Sequence, residues 1–283
     1  MAKLKKFNTK IRNTPQEEKM MQIICLEKTL ISFTIAKKTT LIKPTKSGIL
    51  IVFFLFVHTA YAQFTKFSGW SAIVSTIKIG KKSQLIVDAS IRSNDRWENI
   101  ETIILRPGIA FFVNPRTSLS LGLALIENKK TISGVTDLVS DNRFWQQWQT
   151  IQKLGKNNLQ HRVRLEERLV GTLYAEANEL RKRNLKFNSR IRYFNRYQAG
   201  FSNTATFKTG PYWVIQNEFF FNGLGAQYAN KKFFDQSRTF AGTGWRISPK
   251  TDLEIGYMLQ HVEGSGLAYT NNHILQLSSF LRL

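Results

Sequence analysis

The sequence is poor in cysteine, in acidic residues and in long hydrophobic runs, and each shortage excludes a class of protein. Cys25 is the single cysteine among 283 residues, which rules out a disulfide scaffold and a cysteine-based zinc site. Nineteen acidic residues stand against 41 lysines and arginines, so the net charge is +22 and charge alone points to anionic partners. The 42% apolar and 12% aromatic content excludes a disordered basic tail.

The apolar run at 49–57 is too short to cross a bilayer as a helix, because a span needs about 20 residues. Lys43 and Lys46 precede the run, and an Ala-x-Ala motif follows it. A basic segment, a short apolar core and a small-residue site in this order are typical of a secretory signal peptide. A short buried strand or helix is the alternative interpretation. We predict cleavage directly after Ala62, at the site formed by Ala60, Ala62 and Gln63.

The predicted cleavage divides the chain into an upstream extension over 1–44, a signal peptide over 45–62 and a mature domain over 63–283. Signal peptides run about 15–30 residues, so the extension is expected to be either a start assigned too far upstream, with initiation nearer Leu41, or a disordered segment. Eleven basic and three acidic residues leave with the first 62, so the mature domain carries a net charge of +14 and no cysteine.

Apolar and polar residues alternate along most of the mature domain. Leucine occupies every second position over 119–125, and serine, glycine or alanine fills the positions between. Such runs are about 9–12 residues long, the length at which a tilted strand crosses a bilayer. An apolar face opposite a face of small residues, amides and arginine is typical of an outer-membrane barrel. Aromatic residues expected in the interfacial girdles are Trp70, Tyr193, Tyr197, Tyr212, Trp213, Trp245 and Tyr257.

The alternation predicts about eleven strands, joined in turn by short turns and by longer links. The longer links lie near 94–100, 127–142, 170–181, 223–232 and 263–271. Bacterial single-chain barrels use even strand numbers, so we predict ten to twelve strands and favour twelve. The predicted fold is all-β: a transmembrane, antiparallel, up-and-down β-barrel that follows a cleaved signal peptide. A soluble periplasmic sandwich is the competing fold, because its strands also alternate.

Several segments resemble an uncharacterised family of Bacteroidota outer-membrane β-barrels, filed as domain of unknown function 2490. The most specific are Asn-Arg-Phe-Trp-Gln-Gln at 142–147 and Arg-Val-Arg-Leu-Glu-Glu-Arg at 162–168. Weaker pieces are 190–193, 217–220 and Arg238. The resemblance extends over nearly all of the mature domain. It implies an outer-membrane barrel with no assigned activity.

Charged side chains on the polar face are expected to point into the barrel, because turning Arg or Lys to lipid near the midplane costs about 2–4 kcal/mol each. The predicted lumen charge network consists of Arg143, Arg162, Arg164, Glu166, Arg168, Arg190, Arg192, Glu218 and Arg238. Two roles stay open for this network. Either it fills the lumen of a passive scaffold and fixes the strand register, or it lines a small-solute channel that prefers anions.

Basic clusters in the longer links indicate a charged rim. The rim residues are Lys129, Lys130, Arg181, Lys182, Arg183, Lys231 and Lys232. They are expected either to be solvated or to contact lipopolysaccharide phosphates, since interfacial cations attract anionic headgroups. The expected location is the bacterial outer membrane, and the expected partners are its lipids, including lipopolysaccharide, and the barrel-assembly machinery. We expect no nucleic-acid binding, because the signal peptide exports the chain and no recognition motif occurs.

An outer-leaflet lipid-modifying enzyme is the alternative from a different functional class. Catalysis needs a nucleophile with a base, or paired carboxylates. His161, His261 and His273 fall in the predicted outward phase near strand ends, and the neighbours Glu166 and Glu167 point to opposite faces. We therefore predict no catalytic residue, no metal site and no cofactor.

Overall fold

A computed structural model describes residues 64–201 and 207–283, most of which lie in β-strands. The twelve strands are β1 (Phe64–Lys78), β2 (Ser83–Ser93), β3 (Ile100–Asn114), β4 (Thr117–Ile132), β5 (Val135–Ser140), β6 (Arg143–Leu154), β7 (Asn157–Glu176), β8 (Glu179–Gly200), β9 (Gly210–Asn222), β10 (Phe234–Ser248), β11 (Thr251–Glu263) and β12 (Tyr269–Arg282). No helix within these two ranges is long and apolar enough to cross a membrane. The predicted extension, signal peptide and cleavage residues Ala60, Ala62 and Gln63 lie outside the described residues.

The strands form one closed, all-β barrel. Neighbouring strands pair antiparallel along a meander, and β3 also pairs with β4, which completes the wall. The short strand β5 pairs with residues 127–132 of β4, while β6 pairs with residues 117–124 of the same strand. Because β5 and β6 therefore share one place in the wall, the barrel has eleven strands plus the extra strand β5. The prediction of an all-β barrel with ten to twelve strands is confirmed.

Closure of the barrel differs from the expected fully antiparallel arrangement. β1 and β12 pair in parallel, from Phe64 opposite Thr270 to Thr76 opposite Arg282. A meander with an odd number of wall strands brings its last strand back in the direction of the first, so the closing pair has to be parallel. The preference for twelve wall strands came from the even numbers of bacterial barrels, yet odd numbers are known in mitochondrial barrels.

The outer wall is apolar and the interior is polar. The four leucines of β4 over 119–125 are 43–51% exposed, whereas Ser118, Ser120 and Ala124 are at most 6% exposed. β11 shows the same phase, with Asp252 and Glu254 buried inside and the intervening Leu253 exposed. The period of two thus sorts side chains between the two faces of each strand, as the sequence pattern predicts.

Two of the predicted links are strand hairpins instead. The link at 127–142 contains the end of β4 and all of β5, and the link at 170–181 contains the tip of β7 and the start of β8. Ser133–Gly134 and Ala177–Asn178 form their turns, and all four residues have positive φ. Two positive φ values are typical of a type I′ turn, whose twist matches the flanking strands. We call the hairpin end of the barrel its upper end and the end with the short turns its lower end.

Pairs of facing glycines make room for aromatic rings inside the barrel. Gly108 on β3 lies opposite Gly122 on β4, and a Cβ at Gly122 would come within 2.5 Å of the Trp145 ring. Gly242 and Gly256, on β10 and β11, repeat this arrangement beside another ring. Only glycine permits such close approach of a ring to the sheet. These rings pack with buried aliphatic side chains, such as Ile104 and Ile274, inside a mainly polar lumen.

Candidate functional site

The nine charges predicted for the lumen lie on five neighbouring strands, β6 to β10. Eight of them line at least one of two cavities inside the barrel. The ninth, Arg168, donates hydrogen bonds to Asn188 Oδ1 at 3.1 Å and to Asp141 Oδ2 at 3.2 Å. Because every second residue of a strand shares a face, the alternating charges of β7 reach the interior together. The sequence-predicted charges therefore share the inner side of five neighbouring strands.

Glu166 is the first centre of this group and is only 2% exposed. Its Oε2 accepts hydrogen bonds from Arg143 at 2.9 Å and from Arg190 at 2.8 Å, and its Oε1 accepts one from Arg192. Arg190 lies directly opposite Glu166 in the β7–β8 register. Three guanidinium groups from β6 and β8 thus converge on one carboxylate of β7. Such charge-assisted bonds offset part of the cost of removing these groups from water.

Glu218 on β9 is the second centre. Its Oε1 accepts hydrogen bonds from Arg162 and from Arg192, each at 2.7 Å, and Arg238 forms an ion pair with Oε2 at 3.7 Å. Arg192 contacts both Glu166 and Glu218, so it joins the two centres. We call the set the Arg–Glu network, formed by Arg143, Arg162, Glu166, Arg190, Arg192, Glu218 and Arg238. It links strands β6 to β10 across the inner wall.

Aromatic rings extend the Arg–Glu network to strands β1 and β2. Phe220 is fully buried and lies 4.6 Å from the Arg192 guanidinium and 4.7 Å from that of Arg238. Arg238 also lies 5.0 Å from the Trp70 ring, and Arg92 stacks on Trp70 at 3.9 Å. Cations over aromatic faces attract the ring quadrupole. Since Trp70 lies on β1 and Arg238 on β10, this contact passes over β11 and β12 inside the lumen.

The lumen contains two cavities, one above the other. The upper cavity has a volume of about 390 Å³ and the lower cavity about 560 Å³. Five side chains line both, and we call them the central layer: Trp70, Arg92, Arg106, Arg192 and Arg238. A side chain that borders both cavities lies between them. The central layer therefore lies at the boundary between the upper and the lower cavity.

The family model described as "Protein of unknown function (DUF2490)" matches residues 67–271, which is most of the described barrel. The chain belongs to the DUF2490 family. The resemblance inferred from the segments at 142–147 and 162–168 is thereby confirmed. No curated protein and no solved structure is significantly similar to the chain. Since the family description carries no activity, the function of this DUF2490 protein has to be argued from its lumen.

Arg164 is the one predicted lumen arginine of the DUF2490 barrel that contacts only neutral groups. Its Nε and Nη2 both donate to Gln147 Oε1, at 3.0 and 2.7 Å, and its guanidinium lies 4.5 Å from the Trp145 ring. Within the described residues, no carboxylate lies at ion-pair distance from it, and its buried Nη1 has no hydrogen-bond partner. Arg164 therefore has no ion-pair partner among the described residues.

Several ion pairs inside the DUF2490 barrel were not predicted from the sequence. Arg106 pairs with Asp88 at 2.9 Å. Near the lower end, Asp252 accepts from Arg246 at 2.9 Å and from Arg282 at 2.6 Å. Each of these side chains lies at an inward-facing position of its strand, so the alternation of the sequence could have identified it. Isolated charges of this kind were not selected because they did not form runs of alternating charge along one strand.

Two aromatic residues assigned to the interfacial girdles lie inside the lumen instead. Trp70 belongs to the central layer, and Tyr212 is fully buried and donates its hydroxyl hydrogen bond to Glu254 at 2.7 Å. Trp245 and Tyr257, in contrast, are exposed on the outer wall. The girdle prediction used nearness to strand ends, whereas the strand phase decides which face a ring takes. That prediction is therefore wrong for Trp70 and Tyr212.

The predicted rim residues lie at the upper end, and several are already paired within the DUF2490 chain. Arg181 pairs with Glu176 at 3.0 Å, and Lys232 pairs with Glu263. Lys182 donates to the Ser140 carbonyl oxygen, and Arg183 lies 5.4 Å from the Tyr174 ring. Lys129, Lys130 and Lys231 are exposed. Contact of these seven residues with lipid phosphates stays a prediction.

The three histidines within the described residues each contact a polar side chain. His161 Nδ1 contacts the Tyr193 hydroxyl at 2.9 Å, and His261 contacts Asn271 and Glu263. His273 contacts the Tyr257 hydroxyl. Over 64–201 and 207–283, no group of three or more His, Cys, Asp or Glu side chains is arranged to hold a metal ion.

Proposed function

We propose that this DUF2490 protein is an outer-membrane β-barrel that acts as a passive scaffold, with a lumen closed by its central layer. The observation that carries the proposal is the central layer itself, four arginines and one tryptophan that border both cavities. A side-chain layer that spans the lumen leaves two dead-end compartments. The barrel is then a wall with a closed interior rather than an open pore.

The polarity of the two faces supports a membrane environment. Exposed leucines, isoleucines, phenylalanines and tyrosines recur around the outer wall, for example Leu121, Ile191, Ile215, Ile255 and Leu277. Monomeric soluble proteins rarely expose contiguous apolar patches beyond a few hundred Å². A lipid-facing apolar band with short turns at one end and longer connections at the other is typical of outer-membrane barrels. By that pattern the lower end faces the periplasm.

The reach of the ion pairs supports a closed lumen. Arg162 on β7 bonds Glu218 on β9, so the pair passes over the intervening strand β8. Arg238 on β10 stacks against Trp70 on β1, although β11 and β12 separate these strands in the wall. Contacts between non-adjacent strands must run through the interior. They brace the barrel and occupy the space that a permeating solute would need.

Planar-bilayer recordings on the refolded full-length chain test the proposal. We expect wild-type insertions to stay at baseline current. Trp70→Ala removes the ring on which the Arg92 and Arg238 guanidinium groups stack. Because this substitution should join the two cavities, we expect it to produce steady current. Trp148→Ala, which removes a 40% exposed ring from the outer wall, is the matched control and should conduct no more than wild type. Steady current from the wild-type protein would contradict the closed lumen.

A small anion-preferring channel is the second candidate, and the charge balance of the interior favours it over a cation channel. Nine arginines and three carboxylates line the lower cavity. A lumen lined by an excess of one charge sign concentrates counter-ions of the other sign. If the wild-type protein conducts, we expect the reversal potential in a chloride gradient to report anion preference. That result would support an anion-preferring channel and contradict the passive scaffold.

A further inference from the structure

We propose that the lower cavity is a binding site for a small phosphorylated sugar, with Arg164 as the principal ligand of the phosphate group. This inference rests on the closed barrel proposed above, because a closed central layer turns the lower cavity into a pocket rather than a path. Its volume of about 560 Å³ lies within the range of small-molecule sites. The pocket opens toward the lower end, where the short turns lie.

Arg164 is built into the wall but left without a counter-ion. It is 6% exposed, and two of its donors are held by one Gln147 oxygen while Trp145 covers its guanidinium. These contacts fix the guanidinium plane and leave the buried Nη1 unpartnered. A buried donor without an acceptor is costly, and a buried charge without an opposite charge more so. Arg164 also lines the lower cavity, so a phosphate group bound there would neutralise its charge.

The carboxylates around the cavity are already paired with other arginines. Asp88 is paired with Arg106, and Asp252 is paired with two arginines at the lower end. The third carboxylate, that of Glu218, belongs to the Arg–Glu network. Arg92 has no ion pair in the described part of the chain, and its buried Nε lacks a hydrogen-bond partner. The cavity thus keeps a net positive charge that an oxyanion would neutralise.

Amide groups and aromatic rings of the same cavity fit the sugar part of the ligand. Gln149, Gln160 and Gln276 line it, and each offers both a donor and an acceptor to hydroxyl groups. Trp145 and Phe194 supply apolar surface beside these amides. A site for inorganic phosphate alone needs the guanidinium groups but not this amide and aromatic lining. The lining therefore selects a hydroxyl-rich phosphate ester over the free ion.

Isothermal titration of the refolded full-length chain in detergent with glucose 6-phosphate, inorganic phosphate and glucose tests the site. We expect glucose 6-phosphate to bind, with an affinity that falls as salt is added, and glucose to bind without measurable heat. Arg164→Gln keeps an amide near Gln147 but removes the charge, so it should weaken glucose 6-phosphate binding about tenfold to a hundredfold. Arg116→Gln, an exposed arginine in the β3–β4 turn, is the control and should bind like wild type.

A second variant keeps the inference testable if Arg164→Gln fails to refold. Gln160→Leu lies on the cavity wall and carries no charge, so it should weaken glucose 6-phosphate binding and leave inorganic phosphate binding unchanged. Equal affinity of the wild type for both phosphates would overturn the sugar assignment. No binding by a folded wild-type barrel would overturn the site but not the closed lumen. Binding together with steady wild-type current would keep the site and contradict the closed lumen.

Discussion

At the scale of single residues, two buried carboxylates organise the charges of the lumen. Glu166 and Glu218 each receive three arginines, and Arg192 is shared between them. The sequence predicted these residues because charges at alternate positions of a strand cannot face lipid cheaply. It could not predict that Arg164 would bond an amide rather than a carboxylate, since that choice depends on how three strands align in space.

Removing one of the two centres is expected to destabilise the barrel. Glu166→Gln takes the negative charge from between Arg143, Arg190 and Arg192, which stay buried. Loss of one partner from a buried ion pair costs about 3–5 kcal/mol. We expect a lower midpoint in urea unfolding of the refolded protein, followed by tryptophan fluorescence. Glu167→Gln, the next residue of β7, lies on the opposite face and is the matched control. An unchanged midpoint for Glu166→Gln would show that the network does not stabilise the barrel.

At the scale of elements, alternation located the wall strands but not their full length. The predicted link at 127–142 ends directly before β6 begins at Arg143, whereas the end of β7 and the start of β8 occupy the predicted link at 170–181. The extra residues of β7 and β8 form a hairpin held by its own ladder and by a turn with positive φ. Strand ends that extend beyond the barrel wall need no continuous apolar face. Their length therefore cannot be predicted from the alternation of apolar and polar residues.

The glycine pair of β3 and β4 gives a prediction at this scale. In Gly122→Ala the new methyl group would lie 2.2 Å from the Pro107 carbonyl oxygen and 2.5 Å from the Trp145 ring. The backbone contact cannot be relieved by a rotamer change, so the two strands must separate locally. We expect a lower yield of the heat-modifiable folded form on gels. Ser120→Ala, two residues away on the same inner face, is the control and should refold like wild type. Normal refolding of Gly122→Ala would refute the steric role of this pair.

At the scale of the whole molecule, the count of wall strands decides how the barrel closes and the strand phase decides what fills it. Eleven strands were read from the alternation, yet the even-number rule favoured twelve, so the parallel β1–β12 closure was not foreseen. The two cavities and the central layer were equally beyond the sequence. They depend on contacts between strands that are distant along the wall, such as Arg238 with Trp70, and periodicity within one strand cannot report such contacts.

The membrane environment itself is tested by reversing the polarity of the outer wall at one point. Leu123 lies within the run of exposed leucines on β4, so Leu123→Arg is expected to cost about 2–4 kcal/mol on insertion if that surface meets lipid near the midplane. Refolding into phospholipid vesicles, followed by protection from added protease, measures the effect. Leu267→Arg, at a 93% exposed position in the link before β12, is the matched control and should insert like wild type. Because arginine on a water-facing wall carries no such penalty, equal insertion of the two variants, or recovery of the wild type as a detergent-free soluble protein, would reject the outer-membrane proposal.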